Sequence, residues 1–335
     1  MAHAQSLGVQ FQDTERGPDA GSLVEVAVAG FGNMLLFEDH RYETAAVVHK
    51  AVVYSIVFSP DGSTLATGAR DGSVFVRDAN GHVASLLERG PKVLAVHTLS
   101  YLPNGAGLVV GGESGWTGYR RDANAWSEFG SKSSLPVTSL AVLDERIVAI
   151  GTGDRNKASG GTFELWDMVK DRKLPHTFHE PNGVRAISAS PKKKLVAWAT
   201  GHRKVRVWDI TSPSKPTDFP QKHDCPAIAL SSDGSMLAVT QDWNTNIYDL
   251  RTKRERAVLK GHKGQVRSVA FSPDGSTVAT GGFDFTVRIW DAATGKERAN
   301  YKWDIGVVYC ITYAPDGFRL AAGGDLGRVV VWDAE

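Results

Sequence analysis

The sequence predicts an all-β fold in which one four-stranded unit repeats around a ring. Three observations lead there. First, eight short apolar runs each close on an aromatic–acid or basic–acid pair: Phe37-Glu38, Arg77-Asp78, Arg121-Asp122, Trp166-Asp167, Trp208-Asp209, Tyr248-Asp249, Trp290-Asp291 and Trp332-Asp333. Their acidic members stand 40, 44, 45, 42, 40, 42 and 42 residues apart, the period of a four-stranded propeller blade. Second, a turn recurs in the same phase, as Ser59-Pro60-Asp61-Gly62, Pro103-Asn104-Gly105, Ser232-Asp233-Gly234, Ser272-Pro273-Asp274-Gly275 and Pro315-Asp316-Gly317. Pro presets φ and Gly tolerates positive φ, so the turn has a mechanism. Third, no stretch of ten or more residues carries the period of an amphipathic helix.

The clearest copy, Gly261 to Asp291, shows the part each piece plays. Val266 to Phe271 is a β-branched and aromatic run that reads as a strand. After the Ser-Pro-Asp-Gly turn, Thr277 to Thr280 makes a second strand, and Gly281 to Phe285 a tight connection. Thr286 to Trp290 makes a third strand, and Arg298 to Trp303 the fourth and outermost.

This copy resembles the WD-repeat (WD40) family, whose blade begins near Gly-His and ends its third strand at Trp-Asp. The resemblance covers nearly the whole chain, with full motif density once. It implies a buried hydrogen-bond chain of His262, Thr280, Asp284 and Trp290. Such buried polar groups are tolerable only when each finds a partner. The copy ending at Asp78 keeps His49, Thr67 and Asp71 at the same offsets, with Arg77 replacing Trp. In the copy ending at Asp249, His223 and Asp242 are the candidate remnants.

The whole chain, 1–335, reads as a single β-propeller domain. Seven clearer repeats occupy 50–335, and 1–49 is a degenerate first repeat that includes a possible closing strand. In that first copy His3 is followed by Leu7, Val9 and Phe11, then by a turn-like Gly17 to Ser22 and by apolar runs at Leu23 to Ala29 and Met34 to Phe37. This pattern favours eight blades. The alternative is seven blades plus extra N-terminal strands, with residues 42–49 supplying the outer strand of the last blade. Closing the ring in that way removes exposed sheet edges.

Composition narrows the function classes. A net charge of +1 gives no global field for nucleic acid or a membrane surface. Two cysteines, Cys225 and Cys310, suit a reducing cytoplasmic setting better than a disulfide scaffold. The N-terminus lacks the basic-then-apolar pattern of a signal peptide. The ten histidines are scattered, and neither a Gly-x-Ser-x-Gly nor a phosphate-loop pattern occurs. No catalytic residue, metal ligand or cofactor site is assigned.

Stacking the repeats yields a candidate site. The second residue of each innermost strand is Tyr54, His97, Thr138, Arg185, Pro226, Arg267 or Tyr309. These lie at the starting end of their strands, so the fold gathers them around one mouth of the central channel. In the WD-repeat family such a mouth resembles the usual peptide-docking surface. Two Arg, two Tyr and a His can grip a carboxylate or phosphate and stack aromatic faces. Connections on the same face add Arg70, Trp116, Trp243, Phe283 and Phe285. The expected function is a non-catalytic scaffold, favoured as a monomer, binding a protein or peptide that is acidic or phosphorylated. The alternative is a small-ligand or enzymatic propeller with its site in the channel, since fold alone does not decide function.

Overall fold

The computed structural model describes residues 10–13, 23–28, 32–37, 47–78, 83–87, 95–115, 117–120, 127–130, 133–154, 160–201, 203–212 and 214–333. They form an all-β propeller with no α-helix among the described residues. Its blades are antiparallel sheets whose strands follow chain order from the channel outward. Their innermost strands are Val53–Phe58, Val96–Tyr101, Val137–Val142, Val184–Ser190, Ile228–Leu230, Val266–Phe271 and Val308–Tyr313. The third blade splits its outer strand into Arg172–Lys173 and Phe178–Glu180.

The ring has seven blades, not the eight that the repeat pattern favoured. Val47–Val48 supplies the fourth strand of the last blade, Val47 pairing with Val329 and Val48 with Arg328. Gln10–Asp13, Leu23–Val28 and Gly32–Phe37 form a three-stranded sheet of their own.

The seventh blade joins the first through a seam that repeats between neighbouring blades. A Cβ added at Gly68 would stand 2.5 Å from Val96 Cγ1, and one at Gly281 would stand 2.3 Å from Val308 Cγ1. Gly111 meets Val137 and Gly151 meets Val184 in the same way. Only a residue without Cβ lets the next inner strand come so close. Gly323 of the seventh blade meets Val53 of the first at 2.8 Å. The seventh blade therefore docks on the first through the seam used elsewhere, and no gap is left for another.

Hydroxyls tighten the same junctions. Ser55 accepts from the backbone N–H of Leu99 at 2.9 Å, Thr98 from Leu140 at 3.2 Å, Ser139 from Ile187 at 2.9 Å and Ser268 from Ile311 at 2.9 Å. The apolar core likewise sits between blades: one cluster joins Ile289 of the sixth to Ile311 and Trp332 of the seventh. Another joins Cys310 and Ala321 of the seventh to Val53 and Ile56 of the first.

In the sixth blade the expected polar chain is complete. His262 Nδ1 lies 3.0 Å from both oxygens of Asp284, Nε2 lies 2.7 Å from Thr280 Oγ1, and Trp290 Nε1 donates to that oxygen at 2.7 Å. The carboxylate only accepts and the indole only donates, so Nδ1 carries the proton and Thr280 donates to Nε2. In the first blade His49 Nε2 meets Thr67 Oγ1 at 2.8 Å, but Nδ1 turns to Ser73 Oγ at 2.7 Å. Ser73 then donates to Asp71. The relay thus has a member that the spacing of His49, Thr67 and Asp71 did not show.

The fifth blade corrects the sequence reading. His223 and Asp242 pair at 2.8 Å, but at the surface, with side chains 54% and 51% exposed. The interior role falls to Gln221, which accepts from Tyr248 Oη at 3.0 Å and from Gln241 Nε2 at 2.7 Å. In the fourth blade Glu180 holds the equivalent place, accepting from Trp198 Nε1 at 2.9 Å and from Arg206 Nη1 at 2.8 Å.

Candidate functional site

Six of the seven mouth residues occupy the same backbone irregularity. In the first blade Val53 pairs with Ala69 and Ser55 with Gly68, so the ladder steps over Tyr54. It steps over His97, Thr138, Arg185, Arg267 and Tyr309 in the same way. A bulge of this kind re-aims the side chain of its extra residue. The sequence carries a trace of it, a valine, a variable residue and then a small one, as in Val-Tyr-Ser, Val-His-Thr, Val-Arg-Ala and Val-Arg-Ser. Pro226 is the exception, because paired structure in the fifth blade begins at Ile228.

The bulges bring several of these side chains into contact. Tyr54 packs edge-on against Tyr309 at 5.8 Å and against His97 at 5.7 Å, linking the seventh, first and second blades. The Arg267 guanidinium lies 5.7 Å from the Phe283 ring and 5.8 Å from the Tyr309 ring, within cation–π range. Its Nη1 donates to Gln265 Oε1 at 3.5 Å. Burial lowers the pKa of Arg267, Tyr309 offsets this, and the nearby charge of Arg185 lowers it further.

Other members are used internally. Thr138 is buried and donates to the carbonyls of Val184 and Gly151 at 2.7 and 3.1 Å. His97 Nδ1 lies 3.1 Å from the Val137 carbonyl, and Arg185 Nη1 donates to the Asp154 carbonyl at 3.4 Å. Of the connecting-loop residues, Arg70 is exposed, and Trp243, Phe283 and Phe285 are 59%, 41% and 46% exposed. Trp116 lies outside the described residues. Leu326, 53% exposed on the equivalent loop of the seventh blade, belongs with them and was not singled out from the sequence.

Among the described residues no group of three or more His, Cys, Asp or Glu is placed to hold a metal ion. Burial pushes both thiols, Cys225 and Cys310, up to about 12, which keeps them from thiolate chemistry at neutral pH. No helix among the described residues is long and apolar enough to cross a membrane.

The fold and its hydrogen-bonded blades define a seven-bladed β-propeller of the repeating Trp-Asp type. The family model described as WD domain, G-beta repeat matches residues 44–78, 253–291 and 301–333. Each match ends on the acid of a repeat pair: Asp78, Asp291 and Asp333. The chain is a WD-repeat protein. It is 24% identical over 260 residues to the serine-threonine kinase receptor-associated protein of Dictyostelium discoideum, a match covering 71% of this chain and 80% of that one. The guanine nucleotide-binding protein subunit beta of Oryza sativa subsp. indica is 24% identical over 253 residues, covering 71% of this chain and 55% of that protein. Protein hir1 of Emericella nidulans is 30% identical over 193 residues, which take in 48% of this chain and 18% of that protein.

Proposed function

We propose that this chain is a non-catalytic interaction scaffold that binds an acidic or phosphorylated protein segment at the channel mouth. Arg267 carries the reading. It is a half-buried cation flanked by two aromatic rings, near Arg185, with no carboxylate in salt-bridge distance among the described residues. A partly desolvated cation in that setting gains most from an anion brought by a partner, and a carboxylate or phosphate takes guanidinium hydrogen bonds in pairs. Two of the relatives carry names that describe association, a receptor-associated protein and a subunit. The reading places the chain in the cytoplasm, working as a monomer, in keeping with two free, buried cysteines and a net charge of +1.

The test compares proteins retained from a native lysate by the wild type and by the double variant Arg185→Ala, Arg267→Ala. The expected result is a protein held by the wild type alone, with both forms melting at the same temperature. Equal retention by both forms would refute the assignment of the mouth.

A further inference from the structure

The exposed apolar side chains are unevenly spread. Of the six large ones among the described residues, Trp243, Phe283, Phe285 and Leu326 sit on the second-to-third strand connections of blades five, six and seven. The connections of blades six and seven adjoin the bulged ends of their inner strands, and that of blade five lies at the same end of its sheet, so all four share the face of the mouth. The corresponding connections of blades one and four expose Arg70 and Arg203 instead. An apolar arc over three neighbouring blades of one rim is the mark of a surface that another molecule covers.

Two of these loops also hold backbone strain. Phe285 has φ 64°, while the same loop position is Gly72 at 80° in the first blade and Gly327 at 76° in the seventh. Beside Trp243, Asp242 has φ 49°. A left-handed conformation costs a bulky residue free energy that glycine does not incur. Phe285 keeps that cost with its ring 46% exposed, so folding recovers little from it. Glycine would serve the fold better, and strain held at a surface points to use of that surface.

The arc and the cation are continuous, because Phe283 is both a member of the arc and the ring beneath Arg267. We infer that the mouth takes a two-part segment of another protein: a carboxylate side chain on Arg267 and, within about three residues, a large aliphatic or aromatic side chain on the Trp243–Phe285–Leu326 arc. An extended segment advances about 3.3 Å per residue, so three residues carry it from the channel rim onto the loops. This rests on the reading of the mouth given above and adds the apolar half of the recognition.

The probe is a phage-displayed library of random peptides selected on the intact chain. The expected peptides carry Asp or Glu within three residues of Trp, Phe, Leu or Ile. Synthetic copies should lose at least tenfold in affinity for Arg267→Ala, and likewise for Phe285→Gly and Trp243→Ala. The Phe285→Gly protein should melt no lower than the wild type, which separates lost binding from lost folding. If the peptides lose affinity with Arg267→Ala but stay within twofold for both aromatic variants, the apolar half is wrong and the mouth stands. If no peptide is enriched, or binding ignores all three substitutions, both readings fall.

Discussion

The indole of Trp198 donates to the carboxylate of Glu180 at 2.9 Å, and the two stand where the sixth blade has Thr280 and His262. The equivalence is positional. Glu180 and His262 each precede the first valine of an inner strand by four residues. Val196 pairs with Trp208 as Val278 pairs with Trp290, which puts Trp198 and Thr280 at the same height in the second strand. What the position requires is an acceptor facing a buried donor, and imidazole, carboxylate and carboxamide all meet that need.

Removing Glu180 should therefore weaken the fold. Its carboxylate is buried and takes both the Trp198 N–H and the Arg206 guanidinium. Glu180→Ala leaves the buried indole without its acceptor, while Arg206 keeps its bond to Asp218, and the loss should be about 2 kcal/mol. Glu180→Gln keeps an oxygen for the indole and should lose less than half as much. Urea unfolding followed by tryptophan fluorescence measures both. Equal losses would mean that the charge, not the acceptor, holds this blade.

Stability should fall as the solution is acidified below about pH 6.5, the ordinary histidine value. Burial holds His49 down to about 4, partly offset by Asp71. Between those values the unfolded chain binds a proton that the folded chain refuses. The contribution is thus intact above pH ~6.5, declines as pH drops, and is gone near pH ~4. Its size is about 3 kcal/mol. His262 is shifted in the same direction, also chiefly by burial. His49→Gln should be less stable at pH 7.5 yet show a flatter decline between pH 6.5 and 4.5. An unchanged slope would remove His49 from the account.

The seventh blade offers the converse experiment. Trp332 is 1% exposed and its Nε1 has no hydrogen-bond partner among the described residues, while Trp290 in the sixth blade donates to Thr280. Trp332 pairs with Leu320, so the residue matching Thr280 is Ala322. Ala322→Ser supplies the missing oxygen with one added atom. The gain expected from satisfying a buried donor is about 1 kcal/mol, read as a higher urea midpoint at an unchanged slope.

How much of this could be read from the chain alone follows from what is local. The pair spacing, the turns and the chain from His262 to Trp290 depend on short-range geometry, and they stand where the repeats put them. The choice of seven blades over eight did not follow, because the outer strand of the last blade is two residues, Val47 and Val48, whose partners stand some 280 positions away. Apolar alternation in residues 10–37 announces strands but says nothing of which sheet they join. Glu180 and Gln221 are not legible as members of the chain because the repeat motif has histidine there, whereas the fold requires only an acceptor. The mouth residues were found by aligning repeats, yet the bulges that aim them were not, since one extra residue per ladder is invisible without its partner strand.

The ring seam gives the last prediction. A Cβ at Gly281 would sit 2.3 Å from Val308 Cγ1 and 2.9 Å from Val308 Cβ, well inside contact distance. Gly281→Ala should cost about 2–3 kcal/mol by forcing the sixth and seventh blades apart. Val308→Ala alone should also destabilise, by leaving a cavity. Combined, the two should cost less than the sum of the single losses by about 1 kcal/mol or more, because removing Cγ1 makes room for the new methyl group. The cycle is measured by chemical denaturation of the four proteins. Strict additivity would show that Gly281 is not held by Val308, and that the sixth and seventh blades do not meet through this contact.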